Sequence, residues 1–482
     1  MSSSSSSQFL WLSDVHYDPW YGSEAAVQVS ETASCRSSNI PNESLEFFGQ
    51  VGCDAPASLI ENLLEHARTI LPEPDFILIT GDISRHHNDQ LSPNPLEQTQ
   101  QVIYNASSLI QAAFPSTTFA VSIGNNDVTP DYYLNVSNPT TLLNMVANSF
   151  APFLEASNDD DNAQEIDSML RTGGFYAVSI NEHLSILCLN TIIYSTNLQP
   201  PTSLDDPLNQ FAWMRQQFQQ AADSNKRLLI AGHIPPTIGS FRHTQLWQET
   251  YLDTYYEIVQ SYSHVLAGQA FGHIHTDEFR YHKDLEMFMT SSITPIYGSN
   301  PSFRIVTYDP QQGTILDYDT HYVDLGDATS FQPTNASSNL NWKQAQSFRQ
   351  DYQVPDLSVA SLASIVDSLA SDPNDSLWNV LLARQHIYAH GSETCNALCR
   401  KEWVCTLQSL TAAQFATCLV TPTSSSSPMA IAWIVLCVLA SLTGVSALVW
   451  ALRRYAVRKQ YDTPGDDNVT IEAVATPPPA IT

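Results

Sequence analysis

Three short apolar runs, at residues 76–80, 119–123 and 228–231, each stop at a glycine that is followed at once by a carboxylate, amide or imidazole side chain. Runs of four or five such residues bounded by Gly read as buried strands, because they are too short for helices. The residues that follow them are Gly81-Asp82, Gly124-Asn125-Asn126-Asp127 and Gly232-His233. Asp14-Val15-His16 comes before this series, after an apolar run from Phe9, and Gly272-His273-Ile274-His275 comes after it. Polar side chains just past strand C-termini stand where open α/β sheets place their sites. Helical stretches at 57–71 and 211–224 alternate with the strands, which predicts an α/β sheet covered by helices.

A lone Gly-His marks a turn far more often than a ligand, so no one of these pieces carries weight alone. The ordered set does. Carboxylate, amide oxygen and imidazole together suit a borderline divalent ion, and a carboxylate with two oxygens can bridge a pair of ions. Asp82 is the natural bridge, and the set reads as a two-metal phosphoesterase site.

The blocks D-x-H, G-D, G-N-x-D, G-H and G-H-x-H resemble those of the calcineurin-like metallophosphoesterases. Within that family the stretches Leu12-Ser13-Asp14-Val15-His16-Tyr17-Asp18, Ala231-Gly232-His233-Ile234-Pro235-Pro236 and 268–279 are most similar to the acid sphingomyelinase-like branch. The resemblance runs from about Phe9 to about Leu419. It implies a β-sandwich flanked by helices, with Asp14, His16 and His275 on one ion, Asn125, His233 and His273 on the other, and Asp82 between them. Two ions so placed lower the pKa of a shared water and clamp phosphoryl oxygens. The mixed donor set suits zinc best, with manganese or iron as alternatives, and this branch points to zinc.

One departure stands at Asn126, where the common motif has a His that helps the leaving oxygen. Asn donates a hydrogen bond but gives up no proton. His86, four residues after Asp82, matches a second active-site His of the acid sphingomyelinase-like branch and is the expected proton donor, with Arg85 and His87 as helpers. The expected substrate is a phosphodiester, sphingomyelin-like lipid or nucleotide. Gly-Asn-Asn-Asp also resembles endopolyphosphatases, which makes phosphoanhydride cleavage the rival activity. A non-catalytic lumenal receptor that keeps its metals is a third reading.

The net charge of −29 argues against nucleic-acid binding, which needs a basic surface. Residues 429–452 carry no charge and are long enough to cross a bilayer, and Arg453, Arg454, Arg458 and Lys459 follow at once. The expectation is one transmembrane helix, with the tail at 453–482 in the cytosol and the catalytic domain lumenal or extracellular, in a lysosome, vacuole or at the cell surface. Residues 1–8 are a polyserine leader with no signal-peptide pattern. The start is therefore expected to be truncated or mis-assigned, or the transmembrane helix itself targets the chain. Sequons at Asn42, Asn105, Asn135, Asn335 and Asn374 fit a secretory location.

Between the ends, the expected domains are a catalytic one at 9–331, a small helical, disulfide-bonded subdomain at 332–420 and a Ser/Thr/Pro linker at 421–428. Cys395, Cys399, Cys405 and Cys418 cluster in the subdomain, and Cys35 and Cys53 lie in the loop after the first strand. Spacing alone leaves connectivity open. The resemblance implies pairs Cys395–Cys399 and Cys405–Cys418, against a zinc knuckle as the other reading, and Cys188 and Cys437 are expected to be unpaired. The acidic run at 158–162 is expected to be a surface loop.

Overall fold

The computed structural model describes residues 7–22, 35, 47–91, 93–156, 160–326, 340–371, 376–389 and 395–421. The apolar runs form parallel strands: β1 (Ser7–Leu12), β2 (Phe76–Ile79) and β3 (Thr118–Val121) lie side by side, with Leu10 opposite Ile77 and Ile77 opposite Phe119. In a second sheet β5 (Leu184–Cys188), β6 (Arg227–Ala231) and β7 (Leu266–Phe271) are likewise parallel. β2 is buried along its whole length and β6 from Leu228 onward, as expected for strands covered on both faces.

Further strands complete both sheets, antiparallel to their neighbours except where β9 (Leu285–Met289) runs parallel to β7. β10 (Ser302–Tyr308), β11 (Ile315–Tyr322) and β12 (Lys343–Gln344) extend the first from the free side of β1. The second adds β4 (Tyr176–Ser179) beside β5 and β9 (Leu285–Met289) and β8 (Glu278–His282) beyond β7. The sheets face each other. Phe288 of β9 meets Tyr318 of β11, and the Tyr176 hydroxyl of β4 accepts from the Val121 amide of β3 at 2.7 Å.

Helices cover the flanks. α1 (Ala57–Ile70) turns Leu59, Ile60, Leu63, Leu64 and Ala67 inward at helical spacing. α2 (Pro95–Ala113), α3 (Thr140–Ser149), α4 (Ala151–Glu155) and α5 (Asp160–Gly173) follow, then α6 (Gln210–Ser224) and α7 (Glu249–Ser261). The expected helices at 57–71 and 211–224 are α1 and α6, and the acidic run at 158–162 enters α5 at Asp160. α8 (Phe348–Tyr352), α9 (Val359–Ser371), α10 (Ser376–Gln385) and α11 (Ala397–Leu407) belong to the same compact unit, which ends at Ala416. α12 (Ala412–Val420) continues past that point.

The segment after residue 332 is not helical throughout, because Lys343–Gln344 adds an edge strand through pairing of His321 with Gln344. Two polar residues carry no strand pattern; the open edge of β11 imposes the conformation. Cys35 bonds Cys53 and Cys395 bonds Cys399, while Cys405 and Cys418 are each disulfide-bonded, so these six thiols do not form a zinc knuckle. Cys188 is free and buried. No helix among the described residues is long and apolar enough to cross a membrane. The expected spanning segment at 429–452, its basic flank, Cys437, and the sequons at Asn42, Asn335 and Asn374 lie outside the described residues.

Candidate metal centre

The loops after β1, β2, β3, β6 and β7 leave their sheets on one side and interlock. The Asp14 amide donates to the Gly81 carbonyl and the His16 amide to the Asp82 carbonyl, both at 3.0 Å. Asp127 ties the loops after β2 and β3 together. Its carboxylate accepts from the amides of Asp82 (2.9 Å), Ile83 (2.7 Å), Ser84 (2.9 Å) and Gly124 (2.9 Å). Burial first, and then the Asp82 carboxylate, push its pKa up to about 6 against the pull of those amides. Gly124 is required by this closeness, since a Cβ there would stand 2.1 Å from the Asp82 amide nitrogen.

All seven residues expected to hold metal come together, and all but His273 are buried. Around one point, His16 Nε2 lies 3.2 Å from His275 Nε2, 3.4 Å from Asp82 Oδ2 and 3.9 Å from Asp14 Oδ1. His275 Nε2 is also 3.2 Å from Asp14 Oδ1. Around the other, His233 Nε2 lies 3.0 Å from Asn125 Oδ1, 3.2 Å from Asp82 Oδ2 and 3.2 Å from His273 Nδ1. Asp82 is common to both.

Hydrogen bonds on the far side of two rings test whether a cation fits. His16 donates Nδ1–H to the Ser84 carbonyl at 3.0 Å, and His233 donates Nδ1–H to the Thr80 carbonyl at 2.7 Å. In the neutral rings each Nε2 is then a lone pair aimed at other lone pairs of Asp82, Asn125 or His275. Such an arrangement needs a proton or a cation at its centre. With a proton alone, burial lowers the His233 pKa but the Asp82 carboxylate outweighs it and lifts it to about 9. Burial takes His16 and His273 down to about 3. Burial raises Asp14 while His275 outweighs it, leaving the carboxyl at about 2. A divalent ion displaces the shared protons, and so the donor set fits two ions.

His86 lies beside these positions, its ring stacked on His16 at 3.9 Å. Its Nδ1–H donates to Asp54 Oδ1 at 2.8 Å and its amide to Asp54 Oδ2 at 3.0 Å. Its Nε2 lies 3.2 Å from the hydroxyl of Tyr297, a residue 62% exposed. Burial disfavours the imidazolium, but Asp54 outweighs it and raises the His86 pKa. Asn126 faces Asp82. Its side-chain amide donates to Asp82 Oδ2 at 2.9 Å and its backbone amide to Asp82 Oδ1 at 2.8 Å. Asn126 thus holds both oxygens of the Asp82 carboxylate. Arg85 is buried, 3.5 Å from Asp18, and His87 takes a left-handed backbone at the start of a 3-10 turn.

Sequence reasoning missed Asp54, Asp127 and Tyr297 as parts of this site. Asp127 carried a signal, since it closes the Gly-Asn-Asn-Asp block. Asp54 and Tyr297 carried none, because contacts spanning 32 and 211 positions bring them to His86.

Residues 7–277 match the calcineurin-like phosphoesterases and residues 285–424 the C-terminal region of acid sphingomyelin phosphodiesterase. The chain belongs to the calcineurin-like metallophosphoesterases, a family of hydrolases. Its relatives narrow the placement. It is 30% identical to mouse acid sphingomyelinase-like phosphodiesterase 3b, over 86% of this chain and 90% of that one. It is 28% identical to human cyclic GMP-AMP phosphodiesterase SMPDL3A over the same shares, and 28% identical to sphingomyelin phosphodiesterase A of Dictyostelium discoideum over 85% of this chain and 67% of that one.

Proposed function

We propose that the chain is a two-metal phosphodiesterase that cleaves a small phosphodiester, a nucleotide or a phospholipid headgroup. The observation that carries this reading is the pair of converging donor groups that share Asp82. Asp14, His16 and His275 would hold one ion and Asn125, His233 and His273 the other, with zinc the best match to the donors. Two such ions supply an activated water and the positive charge that holds phosphoryl oxygens.

The chain's own residues do the rest. Asn126 fixes the Asp82 carboxylate through two hydrogen bonds, and Asp127 fixes the loops that carry Asp82 and Asn125. His86, held by Asp54 with its other nitrogen toward the exposed Tyr297, keeps a proton at Nε2 for the departing oxygen. Tyr297 offers an aromatic face at the opening. The disulfide-bonded cysteines and the names of the relatives support a catalytic domain in an oxidising compartment, extracellular or lumenal.

A substrate panel with the wild type and Asp82→Ala tests this. A nitrophenyl diester and at least one of sphingomyelin and a nucleotide diester should turn over only with the wild type. Hydrolysis of inorganic polyphosphate or nucleoside triphosphate alone would replace the diester with a phosphoanhydride. Full turnover by Asp82→Ala would refute the two-metal site.

A further inference from the structure

Two residues past His275 the chain buries Asp277, held from the first sheet and from the C-terminal helices. Arg304 of β10 donates Nη2–H to Oδ1, the Tyr318 hydroxyl of β11 donates to the same oxygen at 3.0 Å, and Arg384 donates Nη2–H to Oδ2 at 3.0 Å. Arg384 stands in α10, 107 positions further along the chain. Its other nitrogen, Nη1, donates to Asp351 of α8 and, at 3.1 Å, to the Gln346 carbonyl. The guanidinium lies over the rings of Tyr318, at 5.4 Å, and Phe348, at 5.7 Å. Two buried cations thus balance two carboxylates.

The chain that leaves α10 runs along the loop that carries His275. The Asp277 amide donates to the Gln385 carbonyl at 3.1 Å, the Asn300 amide to the His386 carbonyl at 3.3 Å, and Asn300 Nδ2 to the Ile387 carbonyl at 2.9 Å. Ser299 Oγ donates to the His275 carbonyl at 3.0 Å and is 3.4 Å from His386 Nδ1. His275 needs such support. Its backbone is left-handed at φ +58°, and its buried Nδ1 has no hydrogen-bond partner to fix the ring.

We propose that Arg384 is a positioning residue for His275: by clamping Asp277 it fixes the turn that presents the imidazole, so the C-terminal helices complete the metal position of Asp14, His16 and His275. This rests on the two-ion reading above. Its corollary is that the two positions depend unequally on α10, since none of the contacts made by Arg384 reaches the Asn125, His233 and His273 position.

Cobalt(II) titration of the metal-free full chain, followed by visible absorption, tests it. The wild type should take up two equivalents. Arg384→Met should keep one of them at wild-type affinity and bind the other about 10–100-fold more weakly, the usual loss when a partner behind a ligand is removed. Arg384→Lys, which retains the charge but cannot reach both carboxylates, should fall between. Ser299→Ala removes a hold on the same turn without stranding a charge, so it decides the matter if Arg384→Met does not fold. Two unchanged equivalents in the folded variants, or equal weakening of both, would overturn the proposal while leaving the two-ion site intact. Failure of the wild type to bind two equivalents would overturn that site, and this inference with it.

Discussion

Residue by residue, the centre is built against backbone preference. Asp14, His16, Asp82, His273 and His275 have φ of +48°, +42°, +54°, +73° and +58°, a region that costs a non-glycine residue about 1–3 kcal/mol. Such strain persists only where neighbours over-determine it, and the four amides on Asp127 do so for the turn at Asp82. His86 lies outside the strained set and is fixed by Asp54 alone on its Nδ1 side. If it protonates the leaving oxygen, His86→Ala should slow alkyl diesters by about 10²–10⁴-fold, the usual contribution of a general acid. Nitrophenyl diesters, whose phenolate leaves unaided, should lose far less. Equal losses on both, measured as kcat/KM, would reduce His86 to a loop residue. The metal-type residues were legible because glycine and strand ends mark them in the sequence. The contact of Asn126 with Asp82 was not, since 44 positions separate the two residues in the chain.

Among the elements, α1, β10, β11 and the chain at Trp342 meet in an aromatic cluster. His321 of β11 stacks on Phe303 of β10 at 5.2 Å, His66 of α1 stacks on Trp342 at 5.3 Å, and the two imidazoles lie 5.7 Å apart. Burial lowers both pKa values, and His66 adds to the shift of His321, which reaches about 4. Between pH of about 6.5 and 4 the unfolded chain therefore binds more protons than the folded one, and stability is lost as pH falls through that window. His321→Phe keeps a ring and removes the titration. Its urea midpoint should drop less than that of the wild type between pH 7 and pH 5, and parallel drops would contradict this account. Strands β2, β3 and β6 and helices α1 and α6 were legible from pattern, because the strands are short continuous apolar runs that stop at glycine and the helices bury one face at helical spacing. β12 was not, since its conformation comes from the edge it joins.

At the scale of the whole molecule, the two sheets meet at the candidate metal centre. The first, through the loops after β1, β2 and β3, supplies Asp14, His16, Asp82 and Asn125; the second, through those after β6 and β7, supplies His233, His273 and His275. Each candidate position draws on both sheets, so the fold is what makes the site, and no single segment of sequence contains it. With a net charge of −29 the protein would offer an anionic substrate little general attraction, and on the two-ion reading that task would fall to the ions. The direct test is an anomalous diffraction map of the metal-loaded protein. It should show two peaks about 3.5–4 Å apart, both touching Asp82, one held by Asp14, His16 and His275 and the other by Asn125, His233 and His273. A single peak, or two peaks that do not share Asp82, would contradict the account.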